Sequence, residues 1–301
     1  MAFVFLFVFS LVPFVGPFFA LLTPLPFLYY STKLGPQEGL KMGLLAIALT
    51  SLGTVLAGSP QLVFLAVELG FLGLLISECF RRGCSFGLTV VIGTVVVLFF
   101  GLTILVSVGL TKDMGPLELV RSYFQTNLQG TMSAYQAEGW DQAKLRQFEE
   151  YAKILAGVIA RIYPSLMIIG AGFLVWINVV LGIPLLRLRK LNYPDFGSLD
   201  RWRAPEHLVW ALIVAGFSSF LPVGSVKFVG INVLLILLVV YGLQGLSIVL
   251  FYLNKYRVPS WIRIGIYLLF LLQQIFLVGL AMVGLFDQWI DFRKIHAKKQ
   301  S

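Results

Sequence analysis

Apolar residues run through this chain in long stretches, broken by short polar clusters, and the breaks predict the elements. Residues 2–31 are almost wholly apolar but carry Pro13, Pro17, Pro24 and Pro26. Proline removes a helix hydrogen bond and kinks the chain. This opening therefore reads as one kinked span, or as two short segments meeting near Gly16-Pro17. A polar turn from Lys33 to Gly39 follows. Residues 40–58 make the next span and stop at Gly58-Ser59-Pro60. Residues 61–80 make another and stop at Arg81-Arg82-Gly83, and 84–111 follow. Further along, 165–184, 208–223, 228–253 and 261–286 have the same character. A helix needs about 20 apolar residues to cross the hydrocarbon of a bilayer. The pattern predicts an all-α, polytopic transmembrane bundle of about eight spans, a single transmembrane domain over residues 1–301.

Residues 112–163 depart from this pattern. Charges are frequent there, from Lys112 and Asp113 to Lys153 and Arg161. After Asp141, a residue suited to capping a helix, Leu145, Phe148, Ala152, Leu155 and Ile159 recur at helical steps. One apolar stripe with charges opposite is an amphipathic helix. The segment reads as an extramembrane insert, lying on the membrane surface or over the bundle. Pro164 suits the first turn of a fresh helix after it.

Composition supports the membrane assignment. The chain is 58% hydrophobic and 12% charged, with mean hydropathy +0.90. Soluble domains carry about 25% charged residues, so too little polar surface is left here to coat a water-soluble globule. The net charge of +9 does not point to nucleic acid, because the basic residues sit in short loops beside apolar runs, where they set topology and meet anionic headgroups. Lys33 and Lys41, Arg81 and Arg82, the run from Arg187 to Arg203, and Lys255 with Arg257 fall in alternate loops. The positive-inside rule makes that side cytoplasmic. The basic tail conflicts with this: with eight spans, Arg293, Lys294, Lys298 and Lys299 fall on the opposite side. Either the tail is tolerated there or a span is miscounted, and 208–223 is the weakest.

Chemistry-bearing residues are few. Cys79 and Cys84 are too few for a metal site, and His207 and His296 are distant in sequence. No phosphate loop, nucleophile elbow or zinc-protease helix occurs. An enzyme is not expected, nor any cofactor. An ionisable residue inside a span is costly, which singles out Glu68. The amides Asn178, Asn232, Gln244, Gln273 and Gln274 also fall inside spans, where amides bond helices together or line polar cavities. Glu68, Asn178, Gln244 and Gln273 are the candidate intramembrane site. Glu68 is expected to face the bundle interior, with the three amides as its partners. Glu78 is expected to pair with Arg81 and Arg82. Asp287 and Asp291 are expected to form interfacial ion pairs with neighbouring cations, not a metal site.

Three local patterns carry a resemblance. They are the proline-rich opening through Leu22-Thr23-Pro24-Leu25-Pro26, then Tyr241-Gly-Leu-Gln244-Gly245-Leu, then Gly284-Leu-Phe-Asp287-Gln-Trp289-Ile-Asp291-Phe-Arg293. In this order, with the spans, they resemble the YybS-like family of uncharacterised bacterial multi-spanning proteins. That family in turn looks distantly similar to the substrate-binding S-components of energy-coupling-factor transporters, through Pro24-Leu-Pro26 and the Leu34-Gly35-Pro36 turn. The resemblance implies a multi-pass protein of the bacterial inner membrane that binds or transports a small molecule. The alternative is a scaffold or regulator acting through membrane-protein partners.

Overall fold

The computed structural model describes residues 16–60 and 62–293. Pro13, Lys294, His296, Lys298 and Lys299 lie outside that range. The described residues form α-helices and one short 3-10 turn, without strands. In chain order the helices are α1 (Gly16–Leu21), α2 (Pro24–Leu34), α3 (Pro36–Leu56), α4 (Leu62–Arg81), α5 (Phe86–Lys112) and α6 (Pro116–Ala137). Then come α7 (Gln142–Leu188), α8 (Leu208–Phe220), α9 (Gly224–Lys255), α10 (Ser260–Leu272) and α11 (Gln274–Ile290). The protein is an all-α polytopic membrane protein. Five helices, α3, α4, α5, α7 and α9, are long and apolar enough to cross a bilayer, and α10 with α11 would add a sixth only if the pair were one span.

The expected eight spans fall short for local reasons. The opening is described from Gly16, so the expected junction near Gly16-Pro17 lies at the edge of the described residues, and within them a break falls at Leu22-Thr23. Pro24 and Pro26 occupy the first turn of α2, where a missing N–H costs nothing. Helix α8 has 13 residues, about 20 Å at 1.5 Å each against a core about 30 Å thick. It stops at Leu221, whose ψ of 142° is the extended geometry that a following proline, here Pro222, imposes. Residues 261–286 divide at Gln273, where α10 and α11 are bent by 102°.

The chain forms two compact units, residues 1–123 with 170–195, and 124–169 with 196–301. In the first unit α4 is the central helix. Its apolar window is 56% buried, against 17% for α5. Glycines make this packing close. A Cβ on Gly73 would strike the Pro24 carbonyl and Phe27 of α2, and one on Gly43 of α3 would strike Leu74 of α4. Phe27, Ile47 and Leu74 fill the space between these helices. Helix α5 buries only a narrow stripe including Thr89, Gly93 and Val97. Val91, Val95, Phe99 and Leu102 on its other faces are exposed, as a lipid-facing surface requires.

In the second unit α9 carries the packing. The backbones of α9 and α11 nearly touch: a Cβ on Gly245 would collide with the Leu280 carbonyl, and one on Gly284 with that of Tyr241. Helix α7 starts where Asp141 caps it, accepting from the Lys144 amide at 2.7 Å, and runs for 47 residues without stopping at Pro164. At that point Asn232 of α9 enters its hydrogen-bond ladder. The Ser165 amide donates to Asn232 Oδ1 at 2.9 Å, and Asn232 Nδ2 donates to the Arg161 carbonyl at 2.8 Å. These are the two groups that would pair with each other in an undisturbed helix, one residue beyond the bond proline removes. The side-chain amide replaces the lost link, so the amphipathic stretch and the span are one helix.

Candidate functional site

The first unit holds a cavity of about 320 Å³. Its walls come from the end of α2 (Ser31, Thr32, Gly35), the end of α4 (Ser77, Phe80, Arg81, Gly83) and the segment Asn192–Pro194 after α7. Local chemistry explains the shape. Gly35 has φ of 85° and Gly83 of 67°, a region glycine enters without strain, so both chains turn sharply at the rim. Thr32 donates its one proton to the Leu28 carbonyl at 2.8 Å. In the 2.9 Å contact between Thr32 and Ser77 the donor must therefore be Ser77. Glu78 accepts from both Arg81 and Arg82, the latter through Nε at 2.6 Å. Arg187 Nε donates to the Tyr193 hydroxyl at 2.9 Å, with the guanidinium 5.8 Å from the ring centroid.

The four residues singled out in the sequence lie elsewhere, and no hydrogen bond joins any two of them. Glu68 is half-buried on α4 and has no hydrogen-bond partner among the described residues. Asn178 is fully buried. Its Nδ2 donates at 2.8 Å to the Leu21 carbonyl, left free by the break between α1 and α2, and at 2.8 Å to the Leu174 carbonyl. That is the partner a proline-broken segment in lipid requires. Asn178 Oδ1 and the buried Thr23 hydroxyl lack partners among the described residues. Gln273 is exposed at the α10–α11 break. Gln244, in the second unit, accepts from the Ala204 amide at 3.1 Å and donates to Asp287 at 3.1 Å.

Asp287 is the centre of a buried charge cluster in that unit. Its side chain is 0% exposed, as is that of Arg293, whose Nη2 lies 2.8 Å away. Arg203 Nε stands 3.4 Å from the same carboxylate, and Arg203 also pairs with Asp291. Arg293 Nη1 donates to the carbonyls of Asp200 at 2.8 Å and Trp202 at 3.1 Å, and to Ser247 at 3.0 Å. The Phe292 amide donates to Asp287 at 3.0 Å, and the Tyr252 hydroxyl donates to the Phe292 carbonyl at 2.8 Å. The expected ion pairs form, but in the interior and with a partner from a distant loop. Two arginines against two aspartates leave the cluster neutral, which is how buried charge is tolerated. It is occupied by its own side chains. Among the described residues no group of His, Cys, Asp and Glu could hold a metal ion.

The same contacts settle where the chain goes after α11. It emerges beside Tyr252, near the end of α9, and against Asp200 and Trp202 of the basic loop. The pair α10–α11 therefore begins and ends near the end of α9, and 261–286 joins 208–223 among the predicted spans that are not single crossing helices.

This arrangement brings together two sequence patterns, Tyr241 to Gly245 on α9 and Gly284 to Arg293 on and after α11. The family described as "Predicted membrane protein (DUF2232)" matches residues 1–288. The chain belongs to this family. Among curated relatives, the "Uncharacterized protein YybS" of Bacillus subtilis (strain 168) is 20% identical over 288 residues, 94% of this chain and 90% of its own. No solved structure matches the chain. In this DUF2232 protein, then, the two motifs that carry the resemblance meet where α9 packs on α11, a contact not foreseen in the sequence, and neither Arg203, Ser247 nor the cavity stood out there. Arg203 looked like one more topology charge, and its carboxylate partner Asp291 is 88 positions away.

Proposed function

We propose that this membrane protein binds a small polar molecule in the cavity among α2, α4 and the segment after α7. The observation that carries the reading is the cavity itself. Its volume of about 320 Å³ is at the lower end of the range for small-molecule sites, roughly 300–1,000 Å³. Residues that carry hydroxyl, amide, phenol and guanidinium groups line it from three parts of the chain. Part of its wall is the turn through Gly35 that resembles an S-component, which favours a substrate-binding role in transport or sensing. The helix ends that form it carry Lys33, Arg81, Arg82, Arg187, Arg189 and Lys190. By the positive-inside rule the mouth opens toward the cytoplasm of a bacterial cell, in its cytoplasmic membrane.

The scaffold reading draws on a different observation. Asn178, Asn232 and Gln244 act separately as bonds between chain segments, which is what a structural bundle needs. The two readings divide on one experiment. The full chain and Ser77→Phe, which fills the cavity, are purified in detergent, and the small molecules carried by each are compared by mass spectrometry. Binding predicts a compound retained by the wild type and lost from a folded Ser77→Phe. Identical content in both, with unchanged partners in cross-linking, supports the scaffold.

A further inference from the structure

We propose that the cavity recognises an oxyanion, a phosphate or carboxylate group, held by Arg81; this rests on the binding reading above. Among the described residues that line the cavity, Arg81 is the one charged side chain. It is not used up by its neighbour. Glu78 accepts from Arg81 and Arg82 together, so one carboxylate faces two guanidinium groups and a net positive charge remains. Arg81 reaches Glu78 through Nη2, which leaves most of its five N–H donors for another acceptor. With 34% of its side chain exposed and a place in the cavity wall, the group is accessible to a ligand.

The other walls fit the same chemistry. Because Arg187 donates to the Tyr193 oxygen, the phenol proton is directed elsewhere and is available to an acceptor. The Asn192 amide adds donors of its own. Thr32 and Ser77 have each committed their proton, so they offer lone pairs to a hydroxyl carried by the ligand. A planar fork of donors beside a phenol and an amide matches an oxyanion, because guanidinium binds phosphate and carboxylate in a bidentate manner. The phosphate could belong to a soluble metabolite or to a lipid headgroup entering from the inner leaflet.

The test uses the full chain, delipidated in dodecyl maltoside, with melting temperature read at constant ionic strength. Probes are inorganic phosphate, succinate, dihexanoyl phosphatidic acid and, as a neutral control, glucose. At about tenfold excess over Kd an anion should raise Tm by about 3 °C. Arg81→Gln should abolish the shift and Arg81→Lys should retain part of it, with the Tm of each unliganded variant showing that it folds. A shift with phosphate or succinate identifies a soluble ligand, and a shift with phosphatidic acid alone identifies a headgroup. An equal shift in Arg81→Gln, or a shift with glucose but neither anion, overturns the anion assignment while leaving a binding site. No shift with any probe, together with a Ser77→Phe variant that carries the same small molecules as wild type, removes the binding reading as well.

Discussion

At the scale of single residues, burial and partnership separate two acidic side chains that look equally conspicuous in the sequence. Glu68 lies within a span and stands without a partner among the described residues, whereas Asp287 is enclosed by Arg203, Arg293, Gln244 and a backbone amide. Their substitutions should behave oppositely. An ionisable group inside a span costs of order 2.5–3.5 kcal/mol at the centre. Glu68→Leu should therefore leave the purified protein at least as stable as the wild type; a lower Tm would reveal a partner that the geometry does not contain. Arg293→Ala removes the nearer of the two guanidinium groups on the buried Asp287 carboxylate, and breaking a buried pair costs up to about 3–5 kcal/mol. Arg82→Ala removes an exposed pair, worth about 0–1 kcal/mol. Denaturation of the two variants side by side checks the ordering, and equal losses would show that the Asp287 cluster is hydrated.

At the scale of elements, the long helix α7 shows how a breaker is accommodated. Pro164 deletes one ladder bond, and Asn232 of α9 takes up the next pair of groups, the Ser165 amide and the Arg161 carbonyl. Asn232→Leu leaves both groups unpaired and should cost about 1–3 kcal/mol. In a Pro164→Ala background the ladder can close on itself, so the same substitution should cost markedly less. The coupling between the two positions is read from a double-mutant cycle on Tm or denaturant midpoint. Additive effects would mean that the amide merely bonds two helices and does not compensate for the proline.

At the scale of the whole molecule, the position of residues 291–293 after α11 bears on a conflict in the charge pattern. With 261–286 counted as a span, the basic tail sits opposite every other basic loop. Arg293 and Phe292 are instead bonded to the basic loop and to Tyr252, so the residues that follow are expected to leave on the basic side. Single cysteines placed in a background lacking Cys79 and Cys84 test this on intact cells. Gln136→Cys should react with an impermeant thiol reagent, whereas Ser198→Cys and Lys294→Cys should react only after permeabilisation. Labelling of Lys294→Cys from outside would restore the extra crossing.

The sequence by itself determined the solvent, the helical class, the family and most helix limits, because these follow from local rules: apolar run length, charge density, proline and glycine punctuation. It also picked out Asn178, Asn232 and Gln244 as buried polar groups, since an amide within a span has to find a partner. Only the tertiary structure decided the rest. Arg203 and Asp287 are far apart along the chain, and no periodicity relates a loop arginine to one particular carboxylate. The cavity depends on three chain segments whose residues are individually ordinary. The α10–α11 pair has a composition suited to crossing, but it is bent at Gln273, and Arg293 bonds its end to the loop beside the end of α9. What is fixed within a few turns of helix is written in the sequence; what depends on which helices become neighbours is decided by packing.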